Sequence, residues 1–206
     1  MLQLSTIDPS TLELLKKLMT FKEFSEMRLV GGTALALQIG HRRSVDLDFF
    51  GKIDFENIYT ANTFKSFSKV ITLKSSKNIN IFSIDDVKVD FVNYTYPWLK
   101  SEILIEGLRL AGIPDIAAMK LAAVTGRGSR KDFIDIYFLL KRFSLKQMIG
   151  FYNNKFYDGS EYMVLKSLTY FDDAEGDYSI DLIHKVSWTK VKKSILNAVN
   201  VYNKEL

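Results

Sequence analysis

The chain contains no cysteine among its 206 residues, and only two histidines and three prolines. Without thiols there can be no disulfide, no thiolate zinc site and no cysteine nucleophile, and two histidines leave little for other nitrogen-ligated metal chemistry. No apolar run approaches the ~20 residues of a membrane-spanning helix, and the N-terminus lacks a basic segment followed by a hydrophobic stretch. No membrane association is expected, and the expected location is cytoplasmic. Internal repeats and low-complexity segments are also missing. What the chain does have is apolar content: 47% hydrophobic residues supply a core for one larger domain, or for a catalytic domain with a helical appendage.

The most informative residues are Gly31-Gly32-Thr33 and, further on, Asp46-Leu47-Asp48 within an apolar run. Met27 to Val30 reads as a strand entering the glycine turn, and Thr33 to Leu37 as the helix leaving it. Backbone without Cβ can approach a phosphate closely, and a helix N-terminus directs free N–H groups and the positive end of its dipole toward it. Thr33 either caps that helix or binds phosphate, and Ser44 binds phosphate from the same strand face as Asp46. Residues i and i+2 of a strand share a face, so Asp46 and Asp48 project together while Leu47 and Phe49 pack inward. Two such carboxylates repel unless a cation lies between them, and Mg²⁺ suits them because it is held by one or two carboxylates plus substrate phosphates. A second ion would lie about 3.5–4 Å from the first in a two-metal displacement, and Mn²⁺ could replace either. The substrate implied is a nucleoside triphosphate, and the chemistry nucleotidyl transfer.

Elsewhere, Pro9-Ser10 opens an amphipathic helix running to about Phe21. Phe55 to Ser68 reads as a helix, and Val70–Leu73, Ile79–Ile84 and Val87–Tyr94 as strands, with Asp85-Asp86 as a hairpin turn. In the last strand Val87, Val89 and Phe91 alternate with Lys88 and Asp90, which makes Asp90 the best third carboxylate. Leu108 to Ala111 is a further short strand, and Pro114 starts a helix reaching about Thr125. Ser129 and Asp132 have capping-box spacing, so Asp132 reads as a cap on the following helix. Lys120 is the lone cation on an otherwise apolar helix, where its charge needs a negative partner. The remainder reads as helices over Leu145–Asn154, Glu161–Tyr170 and Trp188–Tyr202, and Asp172 to Asp177 as an acidic loop.

Gly31 to Leu35, Arg43 to Phe49, Lys120 to Ala123 and Arg127 to Asp135 resemble the AbiEii/AbiGii-type nucleotidyltransferase toxins, members of the DNA polymerase β-like nucleotidyltransferase superfamily. The likeness spans about residues 28 to 140, with a further echo at Phe171 to Glu175. It implies an α+β fold: a mixed sheet flanked by helices over residues 1–112, and a helical C-terminal region, residues 113–206, packed on it. It also implies that Asp90 completes a catalytic metal cluster with Asp46 and Asp48, and that Lys120 contacts nucleotide phosphates. Arg127 offers bidentate geometry to the same region, with Asp135 orienting either side chain. By resemblance the acceptor is RNA, at a tRNA 3′ end, and the protein a toxin paired with an antitoxin encoded nearby. Basic residues fit such an acceptor: residues 116–146 carry seven lysines and arginines against Asp132 and Asp135, and residues 185–204 carry five lysines and no acid. Transfer to a small molecule, and a catalytically silent nucleotide- or RNA-binding module, are the competing readings.

Overall fold

The computed structural model of the protein describes residues 1–56, 63–176 and 180–205. The chain forms two compact units: Met1–Ile39, Ser44–Tyr96 and Ser101–Ala111 in the first, and Gly40–Arg43, Pro97–Lys100 and Gly112–Leu206 in the second.

The first unit is built on a mixed seven-stranded sheet. Its strands are β1 (Met27–Val30), β2 (Leu47–Gly51), β3 (Val70–Ser75), β4 (Ile79–Ile84), β5 (Val87–Asn93), β6 (Ile103–Ile105) and β7 (Leu108–Leu110), in the order β3-β4-β5-β2-β1-β7-β6. β2 runs parallel to β5 and antiparallel to β1, while β1 runs parallel to β7. Alternation assigns the faces: Leu47, Phe49, Val89, Phe91 and Leu29 are fully buried on one side, where Phe24 stacks on Phe91 with ring centroids 4.6 Å apart. The tight β4–β5 turn is made by Asp85 and Asp86, both at positive φ (46° and 66°), as a two-residue hairpin requires. Helix α1 (Pro9–Thr20) starts with proline at its first position and buries Leu14, Leu15, Leu18 and Met19. Arg109 ties the neighbouring turns together, donating to the carbonyls of Met27 (3.1 Å), Met19 (3.1 Å) and Phe24 (2.8 Å).

Three elements differ from the sequence expectation. Helix α2 spans Gly31–Ile39, so the glycines are its first residues rather than a turn before it. β6 was not expected; its three residues acquire strand character by pairing with β7. The helix expected over Phe55 to Ser68 falls partly on residues 57–62, outside the described residues, and Thr63–Ser66 is a 3₁₀ turn.

The second unit is helical: α3 (Ile113–Gly126), α4 (Arg130–Leu139), α5 (Leu145–Lys155), α6 (Glu161–Leu168) and α7 (Trp188–Lys204). Ser144 and Gln147 form a reciprocal capping box at the start of α5, and Ser160 and Ser187 cap α6 and α7. α7 turns Val191, Ile195, Val199 and Tyr202 inward at helical spacing. Fully buried Lys155 donates to Asp115 Oδ1 and to the Pro97 carbonyl, each at 2.8 Å. Asp115 in turn accepts the backbone N–H groups of Leu99 and Lys100, which secures the short 97–100 segment. The α+β class expected from the sequence is the one observed.

Candidate active site

In the first unit the sheet register assembles the acidic side chains. Asp48 on β2 and Asp90 on β5 are direct partners across two parallel strands, so their side chains leave the same face side by side. Asp46 precedes the first residue of β2, two positions from Asp48. Lys88, also two residues away and on the same face, donates to Asp90 Oδ1 at 2.5 Å. Among the described residues no three histidine, aspartate or glutamate side chains come together tightly enough to hold an ion unaided. An in-register carboxylate pair still fits Mg²⁺, which ordinarily takes one or two carboxylates and completes its shell with substrate phosphates and water.

The start of α2 is fitted against this pair. Gly31 has φ +68°, and a Cβ built there would collide with the Asp48 carboxylate. The backbone of Gly31 therefore lies directly beside Asp48, with Gly32 next to it. Thr33 is buried (1% exposed), and its hydroxyl engages the Asp46 carbonyl and, at 2.8 Å, the Ser44 hydroxyl. The backbone N–H of Ser44 donates to the Thr6 carbonyl at 2.8 Å. The helix start, Ser44 and Asp46 are thereby held as one piece. A Gly31→Ala variant is expected to lose about 1–2 kcal/mol from the disfavoured φ alone and to displace Asp48. Urea denaturation alongside an incorporation assay checks both effects, and unchanged behaviour in the two would contradict the close approach.

In the second unit, charge is buried in a connected set. Lys120 on α3 (5% side-chain exposure) donates to Asp132 Oδ1 at 2.9 Å and pairs with Asp135 Oδ2 at 2.7 Å. Asp135, fully buried, also takes Arg42 in a fork, Nε to Oδ1 at 2.7 Å and Nη2 to Oδ2 at 3.0 Å, and contacts His41 Nε2 at 2.7 Å. Arg127 forks onto Asp132 at 2.9 and 3.1 Å, with its side chain 69% exposed, and the Ser129 hydroxyl donates to the same carboxylate at 2.7 Å. Asp132 is therefore not the cap its spacing suggested: Ser129 makes no side-chain cap bond, and the carboxylate serves cations instead of the helix N-terminus. Sequence reasoning also missed His41 and Arg42. The signal available was the unpaired demand of Lys120, together with two aspartates three residues apart on one face of an apolar helix.

Electrostatics follow from this enclosure. Burial by itself pushes Asp135 upward, but Arg42 and Lys120 outweigh it and hold the carboxyl well below the usual carboxylate range. Asp132 behaves alike, with burial overcome by Lys120 and Arg127. Burial opposes the charge on Lys120, yet Asp135 and Asp132 leave its pKa raised. His41 is pushed down by burial, only partly offset by Asp135, and its buried Nδ1 has no hydrogen-bond partner among the described residues. A neutral ring donating from Nε2 to Asp135 satisfies that arrangement.

Comparison with known proteins bears on family and fold. An uncharacterised protein of Aquifex aeolicus is 33% identical over 196 residues, covering 92% of this chain and 94% of the relative. JHP933 of Helicobacter pylori superposes with a TM-score of 0.62 at 18% identity, covering 97% of this chain and 94% of that one. The nucleotidyltransferase toxin MenT4 of Mycobacterium tuberculosis superposes with a TM-score of 0.63 at 14% identity, covering 90% of this chain and 79% of that one. The family described as nucleotidyl transferase AbiEii toxin, type IV toxin–antitoxin system, matches residues 13–175. With a polymerase β-like fold, the chain belongs to the AbiEii nucleotidyl transferase toxin family and is a nucleotidyltransferase.

Proposed function

We propose that the protein transfers a nucleoside monophosphate from an NTP to a hydroxyl of RNA, at a tRNA 3′ end, as the toxin partner of an antitoxin encoded nearby, in the cytoplasm. The observation that carries this reading is the in-register pair Asp48 and Asp90, set against the Gly31 backbone at the start of α2. Asp46, Asp48 and Asp90 would hold divalent metal, two Mg²⁺ ions in the working complex with Mn²⁺ as a substitute. Bound there, the metal would neutralise phosphate charge and lower the pKa of the attacking hydroxyl.

The chain's own groups do the rest. Backbone N–H groups of Gly31, Gly32 and Thr33 receive the triphosphate, with Ser44 beside them. Asp90 accepts the proton of the acceptor hydroxyl as its oxygen bonds to the α-phosphorus and the bond to pyrophosphate breaks. Arg127 meets phosphate with its exposed guanidinium, while Lys120 and Asp135 set its position through Asp132 and the buried ion set. The basic stretches 116–146 and 185–204 support a polyanionic acceptor. Among the described residues no helix is long and apolar enough to cross a membrane.

The test incubates the protein with each labelled NTP, Mg²⁺ and total cellular RNA, and separates products by size. Label in the tRNA band is the expected result. Label confined to small molecules would replace the acceptor, and no label with any NTP would overturn the reading.

A further inference from the structure

The face of the first unit that bears Asp48 and Asp90 continues into aromatic residues. Two positions along β2 and β5, about 6.6 Å at strand rise, the same face presents Phe50 and Val92, which are also register partners. Tyr94 extends the row, because its N–H donates to the Gly51 carbonyl at 2.9 Å and carries the β2–β5 ladder one residue further. Phe50 and Tyr94 have ring centroids 5.2 Å apart, and Tyr94 and Tyr96 5.6 Å. Arg28, the β1 partner of Phe50, lies on the same face, as does Ile79, the β4 partner of Val92.

This row is not the hydrophobic core. The core lies on the opposite face, where Phe49, Phe91 and Phe24 are fully buried and stack on one another. Phe50, Tyr94 and Tyr96 are each half-buried, and the Tyr94 hydroxyl is itself buried. A row of half-buried aromatic rings is what stacks a nucleobase, since every base offers a π-face. A nucleotide with reacting groups at Asp48 and Asp90 has its base on the scale that separates those residues from Phe50, the near end of the row.

We propose that Phe50, Tyr94 and Tyr96 form a stacking platform for a nucleobase, belonging either to the NTP or to the terminal nucleotide of the acceptor RNA. The proposal rests on the nucleotidyl-transfer reading of the carboxylate pair. It assigns base recognition to the sheet itself, as a separate task from holding phosphate.

Direct binding tests it without relying on turnover. Wild-type protein, Tyr96→Leu, Tyr94→Leu and the ring-preserving Tyr96→Phe and Tyr94→Phe are titrated, with Mg²⁺, against α,β-methylene NTPs and separately against bulk tRNA, after thermal melting confirms folding. Tyr96 follows β5 in a loop, so its leucine variant is the one least exposed to loss of fold. The leucine variants are expected to bind one of the two ligands about tenfold more weakly, with the phenylalanine variants close to wild type. The ligand that weakens identifies whose base is stacked. Folded leucine variants that bind both ligands within about twofold of wild type would overturn the platform, and so would phenylalanine variants as weak as leucine. Wild-type protein that binds neither ligand would remove the nucleotidyl-transfer reading and the platform with it, an outcome distinct from the other two.

Discussion

Asp48→Asn is expected to lower NMP incorporation by about 10³-fold or more while leaving the thermal midpoint close to that of the wild-type protein. The asparagine keeps the shape of the side chain that Gly31 leaves room for, so the start of α2 need not move. It removes one of two negative charges facing each other across β2 and β5. With metal and NTP, the loss falls on the transition state, where phosphate charge must be neutralised at the moment the pyrophosphate bond breaks. The variant should thus bind nucleotide with a modest change in affinity and fail mainly in kcat. Asp90→Asn should behave similarly, with one difference: Lys88, which donates to Asp90, would lose its ionic partner on the strand face. Undiminished incorporation of labelled NTP by folded Asp48→Asn would move catalysis away from this pair.

The parts of the fold that the sequence made legible are those decided locally. β1 and β4 have the expected ends, and β5 ends one residue early, because alternation and the Asp85-Asp86 turn state where pairing starts and stops. The C-terminal helices start where expected, at Leu145, Glu161 and Trp188, each behind a serine that caps it, and their ends differ from expectation by no more than two residues. β6 was not legible, since three residues at a sheet edge carry no periodicity and owe their conformation to β7. In the site, alternation shows which side of β5 Asp90 leaves from, but that it stands beside Asp48 depends on the parallel β2–β5 register, and that Asp48 abuts Gly31 depends on how β1 and β2 pair. Asp132 shows the limit best: an i, i+3 relation to Ser129 is equally a capping box or one arm of an ion set, and Lys120, on another helix, decides it. His41 and Arg42 lie in a segment with no pattern of its own, held by Asp135 more than ninety residues later. No local rule reaches that far.

Asp135→Ala should be among the most damaging substitutions for stability, costing about 3–5 kcal/mol, because it removes the carboxylate that two buried cations share. Lys120 and Arg42, with side chains 5% and 4% exposed, both pair with this carboxylate and cannot turn to water. The wild-type pH dependence carries the same signature. Asp135 and Asp132 are held below the ordinary carboxylate value of about 4, so as pH falls through that value the unfolded chain takes up protons that the folded chain refuses. Their stabilisation is fully present above about pH 4 and drains away below it. His41 adds an earlier stage with the same sign: its pKa is lowered by burial, so the unfolded histidine protonates first, and stability begins to fall below about pH 6.5. His41→Gln keeps a donor for Asp135 and removes the titrating ring, and is expected to flatten thermal midpoint against pH between about 5 and 7 while leaving the steeper acid limb. Asp135→Ala should do the reverse: a low midpoint at neutral pH, with a shallower decline below pH 4. If both variants kept the wild-type acid profile, the buried ion set would not be what sets the protein's response to pH.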